Sequence, residues 1–166
     1  PERLARQVER MATDARGAVL GTGLRLIDAS DRVVDDLPAE VTSDADVRWH
    51  LRFGNAVSHP TVLFRRRAVL DAGNYADMMP GQDYDLWCRV ATRFGMANLR
   101  EPLVRYRMHG GSVTHRSRSG AAELIERIQQ RNLASLWPGV TEPHWRRLTL
   151  LLRQTGELNV TIADCR

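Results

Sequence analysis

Between Leu103 and His109 the chain alternates two kinds of side chain. Val104, Tyr106 and Met108 share one parity, and Arg105, Arg107 and His109 share the other. Successive residues of a strand point to opposite faces, so a strand here has one apolar face and one carrying two guanidiniums and an imidazole. Two readings stand side by side. In one, the charged face is simply solvated, as on many antiparallel strands. In the other it is a cleft wall that meets phosphate and a metal. His109 then closes the strand before Gly110-Gly111, at the end where ligands of open α/β sheets gather. A second candidate opens a helix. In Gly81-Gln82-Asp83-Tyr84-Asp85-Leu86-Trp87, Asp83 stands in the first turn, four residues before Trp87. A carboxylate there is a helix cap, or a general base whose negative charge the helix dipole favours.

Other patterns lead less far. Gly21-Thr22-Gly23 resembles the start of a dinucleotide fingerprint, but Leu26 stands where the third glycine belongs and no helix follows at once,. His59 before Pro60 is either a loop ligand or a hydrogen-bonded structural histidine. Arg65-Arg66-Arg67 reads as a solvated corner, since no aromatic residues interleave it for base stacking. The histidines and cysteines never reach zinc spacing. No nucleophile elbow and no P-loop occurs.

The elements that must position these residues alternate. A helix is expected from Pro1 to about Arg16, with Leu4, Val8, Met11 and Ala12 as its apolar stripe and Gly17 as its stop. A strand follows over Ala18 to Ile27. Asp28-Ala29-Ser30-Asp31 then has turn chemistry, and Arg32 to Val34 forms a short return strand. Ser43 or Asp44 caps a short helix ending at Gly54. Thr61 to Phe64 is a short buried strand, and Arg66 to Ala72 a short helix closed by Gly73. Gln82 to Phe94 is the clearest helix, with Trp87, Val90, Ala91 and Phe94 at helical spacing and Gly95 as its C-cap. The strand at Leu103 to His109 comes next. Two helices close the chain, about Ala121 to Leu136 and about Pro143 to Gln154. Strands alternating with helices argue for the α/β class.

The 166 residues fit one domain or one and a half,. With 43% hydrophobic and 27% charged residues the balance is that of a globular chain, not a disordered one,. No apolar run approaches the roughly 20 residues of a membrane span. Cys88 and Cys165 form no disulfide framework, which points to a reducing compartment. All 24 basic residues are arginine. Its planar fork suits phosphate, so the composition permits an anionic ligand without requiring one. The opening Pro1-Glu2-Arg3-Leu4 has no initiator Met and no signal-peptide pattern, and the chain reads as cut from something longer.

Several stretches, taken in order, carry a resemblance. They are Asn55-Ala56-Val57-Ser58-His59-Pro60-Thr61-Val62-Leu63-Phe64-Arg65-Arg66, then Ala72-Gly73-Asn74-Tyr75, then Gln82-Asp83-Tyr84-Asp85-Leu86-Trp87-Cys88-Arg89, and last Glu101-Pro102-Leu103-Val104-Arg105-Tyr106-Arg107-Met108-His109. Together they resemble the acceptor-side half of family 2 glycosyltransferases of the GT-A fold. The opening Pro1 to Gln7 looks like the helix that follows the metal-binding DXD motif there. The resemblance implies a partial GT-A fold of the α/β class, a mixed sheet with flanking helices and a C-terminal helical extension. Its domain reading is residues 1–115 as the acceptor-side half and 116–166 as the extension.

The resemblance also implies roles. Asp83 matches the base that takes the proton of the acceptor hydroxyl in inverting members. His109 matches a histidine that helps hold the divalent metal, Mg²⁺ or Mn²⁺, on the donor diphosphate. Gly73 and Asn74 match a loop that approaches donor or acceptor sugar. Arg107 sits beside the metal histidine, within reach of the diphosphate. His59 and Gln82 complete the substrate-binding set, Gln82 standing where an acidic residue is usual. The implied reaction is inverting transfer of a sugar from a nucleoside-diphosphate sugar to a glycan or lipid-linked acceptor, as in polysaccharide biosynthesis. It implies a cytoplasmic site, with peripheral contact at the inner face of the cell membrane as a further expectation, and no nucleic-acid partner. The upstream nucleotide-binding strands and the DXD motif would lie before Pro1, so this piece alone is expected to be inactive. Two other classes are weighed against the enzyme: a non-catalytic scaffold that keeps part of the fold, and an arginine-based anion binder.

Overall fold

From Gly17 to Ile27 only Thr22 and Arg25 interrupt a run of apolar and small residues. Such a run suits a strand covered on both faces. The computed structural model describes residues 2–78, 81–108 and 118–135, with 139, 141, 143, 144 and 147 beyond them. In it this run is β1 (Gly17–Ile27), buried along almost its whole length.

β1 is the axis of a four-stranded mixed sheet. Its C-terminal half pairs antiparallel with β2 (Val33–Leu37), Leu24 lying opposite Leu37. Its N-terminal half pairs antiparallel with β3 (Leu63–Phe64), Val19 opposite Phe64. Its other edge runs parallel to β4 (Gly95–Arg107), from Gly17 opposite Gly95 to Ile27 opposite Arg107. The helices are α1 (Glu2–Ala12), α2 (Asp44–His50), α3 (Arg66–Asp71), α4 (Gln82–Ala91) and α5 (Arg118–Ala134), with a 3₁₀ turn at His59–Thr61. The expected class, α/β with a mixed sheet and flanking helices, is the observed one. The core gathers Trp87, Leu86 and Val90 of α4 against Val19 of β1, Val47 of α2, Val57, Val69 of α3, Met96 of β4 and Ile128 of α5.

The local expectations need several corrections. On α1, Leu4 and Val8 face solvent, 48% and 57% exposed, while Gln7 is fully buried beside Met11. The periodicity counted apolar side chains, but a polar one takes the inward position. Gln7 Nε2 donates to the carbonyls of Leu20 (2.6 Å) and Thr61 (2.9 Å), so the amide joins α1 to β1 and the 3₁₀ turn. The helix ends at Ala12, because Asp14 turns the chain by accepting from the backbone N–H groups of Arg16 and Gly17. Ser43 caps α2, its hydroxyl accepting from Asp46 N–H at 3.1 Å, and α2 stops at His50. Thr61 belongs to the 3₁₀ turn, which leaves β3 two residues long. Gly95 opens β4 instead of capping α4. Its N–H donates to Arg16 carbonyl at 2.9 Å, and a Cβ there would lie 3.1 Å from that oxygen. The alternation at 103–107 is the far half of a longer strand, with Arg105 and Arg107 exposed and Val104 and Tyr106 half-buried. The second closing helix lies outside the described residues.

The glycines of Gly21-Thr22-Gly23 have a packing reason rather than a nucleotide-binding one. At Gly21 a Cβ would stand 2.2 Å from Asn98 Oδ1 and 2.9 Å from Val57 Cγ1. At Gly23 it would stand 2.6 Å from the Leu37 carbonyl and 2.9 Å from Pro38 Cα. The chain leaving β2 crosses β1 at that bare backbone, and Ala39 N–H then donates to Arg100 carbonyl on β4 at 2.9 Å. Because the obstacle at Gly23 is backbone, Gly23→Ala should destabilise the fold by about 1–3 kcal/mol. A lower urea midpoint at unchanged slope is the expected reading.

Candidate functional site

Three segments meet at the N-terminus of α4. The first is the reversal at Gly81, whose φ of 98° is one that a side chain rarely tolerates,. It turns the chain so that Asp85 N–H donates to Gly81 carbonyl at 2.9 Å and the helix begins. Asp83 then falls in the first turn, half-buried, where the unpaired helical N–H groups favour negative charge,. The second segment supplies Asn55, whose Nδ2 donates to Asp83 Oδ2 at 2.9 Å. That amide has a fixed sense, because Asn55 Oδ1 accepts from the N–H of Val57 at 3.2 Å, and Val57 is anchored in the core. The third supplies Tyr75. Burial and the charge of Asp83 both push its phenol above the ordinary tyrosine value. Tyr75 Oη and His59 Nε2 are 3.0 Å apart and share a hydrogen bond. The His59 ring packs on Tyr75 and on Trp87, the latter at 6.2 Å between centroids. The result is a carboxylate with one oxygen held by an amide donor, beside a histidine–tyrosine wall.

A second carboxylate holds this arrangement together. Asp85, 5% exposed, points the other way on α4. Its Oδ1 accepts from Arg131 of α5 at 2.7 Å, and its Oδ2 accepts from Arg89 Nε at 2.9 Å. Arg89 in turn donates to the carbonyls of Ala72 and Asn74, the latter at 2.8 Å. Burial alone would raise the Asp85 carboxyl, but the hydrogen bonds and charges of Arg131 and Arg89 outweigh it, and the net direction is down. α5 is tied in further by Asn132. Its Nδ2 donates to Leu51 carbonyl at 3.1 Å and to Cys88 Sγ at 2.9 Å.

The residues singled out from sequence are not all in one place. Asp83 and His59 belong to the cluster just described, and Gln82 precedes Asp83 on the same turn. Gly73 and Asn74 close α3. Gly73 N–H donates to Leu70 carbonyl at 3.0 Å and Asn74 N–H to Val69 carbonyl at 2.9 Å, the paired bonds of a left-handed helix ending. Both have positive φ, 89° and 60°. This turn delivers the chain directly to Tyr75. Arg107 is engaged elsewhere: its guanidinium donates to Asp28 carbonyl at 2.8 Å and to Asp31 Oδ1 at 2.6 Å, in the β1–β2 turn. Arg105 donates to Asp31 carbonyl at 2.8 Å, so both arginines clamp that turn. His109 lies outside the described residues. Among the described residues no three histidine, cysteine, aspartate or glutamate side chains group to hold a metal ion, and no helix is long and apolar enough to cross a membrane. Sequence reasoning gave no role to Asn55 or Tyr75. Both sit in loops without periodicity, and only the fold brings them to Asp83.

The double pairing of Asp85 makes a stability prediction with a defined sign. Arg131→Gln should lower stability at pH 7 by about 1–3 kcal/mol, less than for a wholly buried pair because Arg131 is half exposed,. A carboxyl depressed in the folded state stabilises it above its unfolded value, roughly pH 4, and that stabilisation is lost as pH falls through the folded value. The gap between variant and parent should therefore close on acidification. Urea midpoints at pH 7 and at pH 3 check it.

No family model matches the chain. Among curated proteins it is similar to the O-antigen biosynthesis glycosyltransferase WbnJ of Escherichia coli, 31% identical over 98 residues that make up 57% of this chain and 38% of WbnJ. It is also similar to the amylovoran biosynthesis glycosyltransferase AmsE of Erwinia amylovora, 27% identical over 163 residues, 98% of this chain and 54% of AmsE. The chain spans about half the length of AmsE and less of WbnJ. Distant relatives named as glycosyltransferases thus support a glycosyltransferase family for this chain.

Proposed function

We propose that this chain is the acceptor-side part of an inverting glycosyltransferase of family 2 with the GT-A fold, and that Asp83 is its general base. The observation that carries the reading is the carboxylate at the start of α4, oriented by Asn55 and flanked by Tyr75 and His59. The two relatives named as glycosyltransferases support it.

In this reading an acceptor hydroxyl lies against Asp83. The hydroxyl oxygen attacks the anomeric carbon of the donor as its proton passes to the carboxylate. The bond from that carbon to the nucleoside diphosphate breaks, and the diphosphate leaves with the bonding pair, so configuration inverts. Asn55 occupies Oδ2; among the described residues nothing hydrogen-bonds Oδ1, the oxygen that receives the proton in this reading,. The amide also holds the carboxylate in one rotamer, the kind of positioning on which an attack distance depends. Tyr75 and His59 offer an aromatic wall with a hydroxyl and a ring nitrogen, surfaces that suit a sugar ring. Gly73 and Asn74 set the position of that wall through the turn before Tyr75. A divalent metal, Mg²⁺ or Mn²⁺, would meet the leaving diphosphate in this family; His109 is the ligand the reading assigns to this chain, and the described residues add no cluster to it. Gln82 keeps the helix start but lacks the charge usual at that position.

Asp83→Asn in the natural gene product tests the reading. Transferase turnover with a nucleoside-diphosphate sugar should fall by about 10²–10⁴-fold, the range for loss of a general base. Asn55→Ala should lower kcat by about tenfold and leave KM for the donor unchanged. Full turnover in Asp83→Asn would overturn the assignment, and partner binding retained in its place would mark a scaffold.

A further inference from the structure

The basic triplet Arg65-Arg66-Arg67 is not accounted for by the cluster at Asp83. It follows β3 and opens α3, and two of its members line a cavity of about 310 Å³ at the opposite end of α4. The lining brings Arg16, Arg65, Arg67 and Arg93 together with Phe94 over three alanines. α4 separates this cavity from Asp83 by roughly 15 Å, the length of its ten residues,.

Four of the eight lining residues are arginines and none is acidic. Two carboxylates lie nearby, each engaged through Oδ1, and Asp71 forms an ion pair with Arg67. Asp71 accepts from Arg67 Nε at 2.8 Å, and Asp14 accepts from the backbone N–H groups of Arg16 and Gly17. Arg65 is largely structural, donating to Gly17 carbonyl at 2.8 Å and to Met11 carbonyl at 2.9 Å, so it fixes one wall. Arg93 donates through Nη1 to Asp71 carbonyl at 3.1 Å and lies 5.5 Å over the ring of Phe94. Each guanidinium has five N–H donors. These contacts use one on Arg67 and one on Arg93, and among the described residues no other hydrogen bond engages either fork. A recess walled by one sign of charge concentrates counter-ions. Planar forks match the paired oxygens of phosphate. The alanines and Phe94 add an apolar floor for whatever bears it.

We propose that this pocket binds a phosphate-bearing ligand, at a site separate from the one at Asp83. Two arms of one experiment identify the source of the phosphate. The natural gene product is titrated calorimetrically with inorganic pyrophosphate in EDTA, which silences any metal-dependent donor site. In parallel it is sedimented with vesicles of phosphatidylglycerol in phosphatidylcholine. Saturable binding is expected, about tenfold weaker in Arg67→Gln and in Arg93→Gln, as for the loss of one charge-assisted bond. Arg32→Gln, an exposed arginine of the β1–β2 turn, should bind as the parent does. Arginine-dependent pyrophosphate binding without vesicle binding means a free phosphate compound, and arginine-dependent vesicle binding means a lipid headgroup. If Arg93→Gln lowers Tm, Arg16→Gln tests the same pocket from its other wall. No saturable binding in either arm, or binding that the arginine substitutions leave unchanged, overturns the proposal.

Discussion

A strand bonded on both edges leaves its backbone groups no need of water, and β1 meets that condition with three different partners. Among the described residues, β2, β3 and β4 each join the sheet by pairing with β1. The segments that carry the candidate site are hung from the same axis. The 3₁₀ turn beyond Asn55 is fixed to it by Thr61, whose hydroxyl accepts from Thr22 N–H at 3.0 Å, and by Gln7, which bonds Leu20 and Thr61 together. Close approach is the constraint that follows. Asn98 reaches over β1 to the carbonyls of Val41 and Ala56, at 2.7 and 2.9 Å, through the space that Gly21 leaves bare. The loop from β2 crosses at Gly23 for the same reason.

On that frame α4 works as a two-sided element. Its first turn directs Asp83 toward Asn55 and Tyr75, and Asp85, two residues on, toward the arginines that fix the turn at Gly73 and the helix α5. The carboxylate proposed for chemistry stays half-buried, with one oxygen in no hydrogen bond among the described residues, while Asp85 is buried and bonded at both oxygens. Reactivity and rigidity are thus divided between two aspartates of one helix turn. The separation is consistent with a base that must meet a substrate and a support that must not.

Much of this was legible in the residues. The alternation from 103 to 107 and the α4 pattern follow from burial, which side-chain types record directly. Asp83 stood out because a helix start is marked by local chemistry. Periodicity treats a polar residue such as Gln7 as outward, yet two buried carbonyls make an amide the better occupant. One glycine at 95 suits both a helix end and a close strand approach, and only the partner strand decides between them. Asn55 and Tyr75 reach Asp83 through a fold that pairs positions 28 and 8 residues away from it. No spacing rule spans such loops.

The thiol of Cys88 draws a different consequence from the docking of α5. It is buried, accepts from Asn132 of α5, and is pushed up to about 12, first by burial. Alkylating reagents attack the thiolate, so in the closed fold this sulfur is both shielded and protonated. It reacts when opening at α5 brings water to it, since the Asn132 bond itself favours the thiolate and burial is what keeps the proton on,. The rate of its labelling, followed peptide by peptide apart from Cys165, then measures how often that helix opens. The molecule holds, at the back of its site helix, a chemical clock for its own local unfolding.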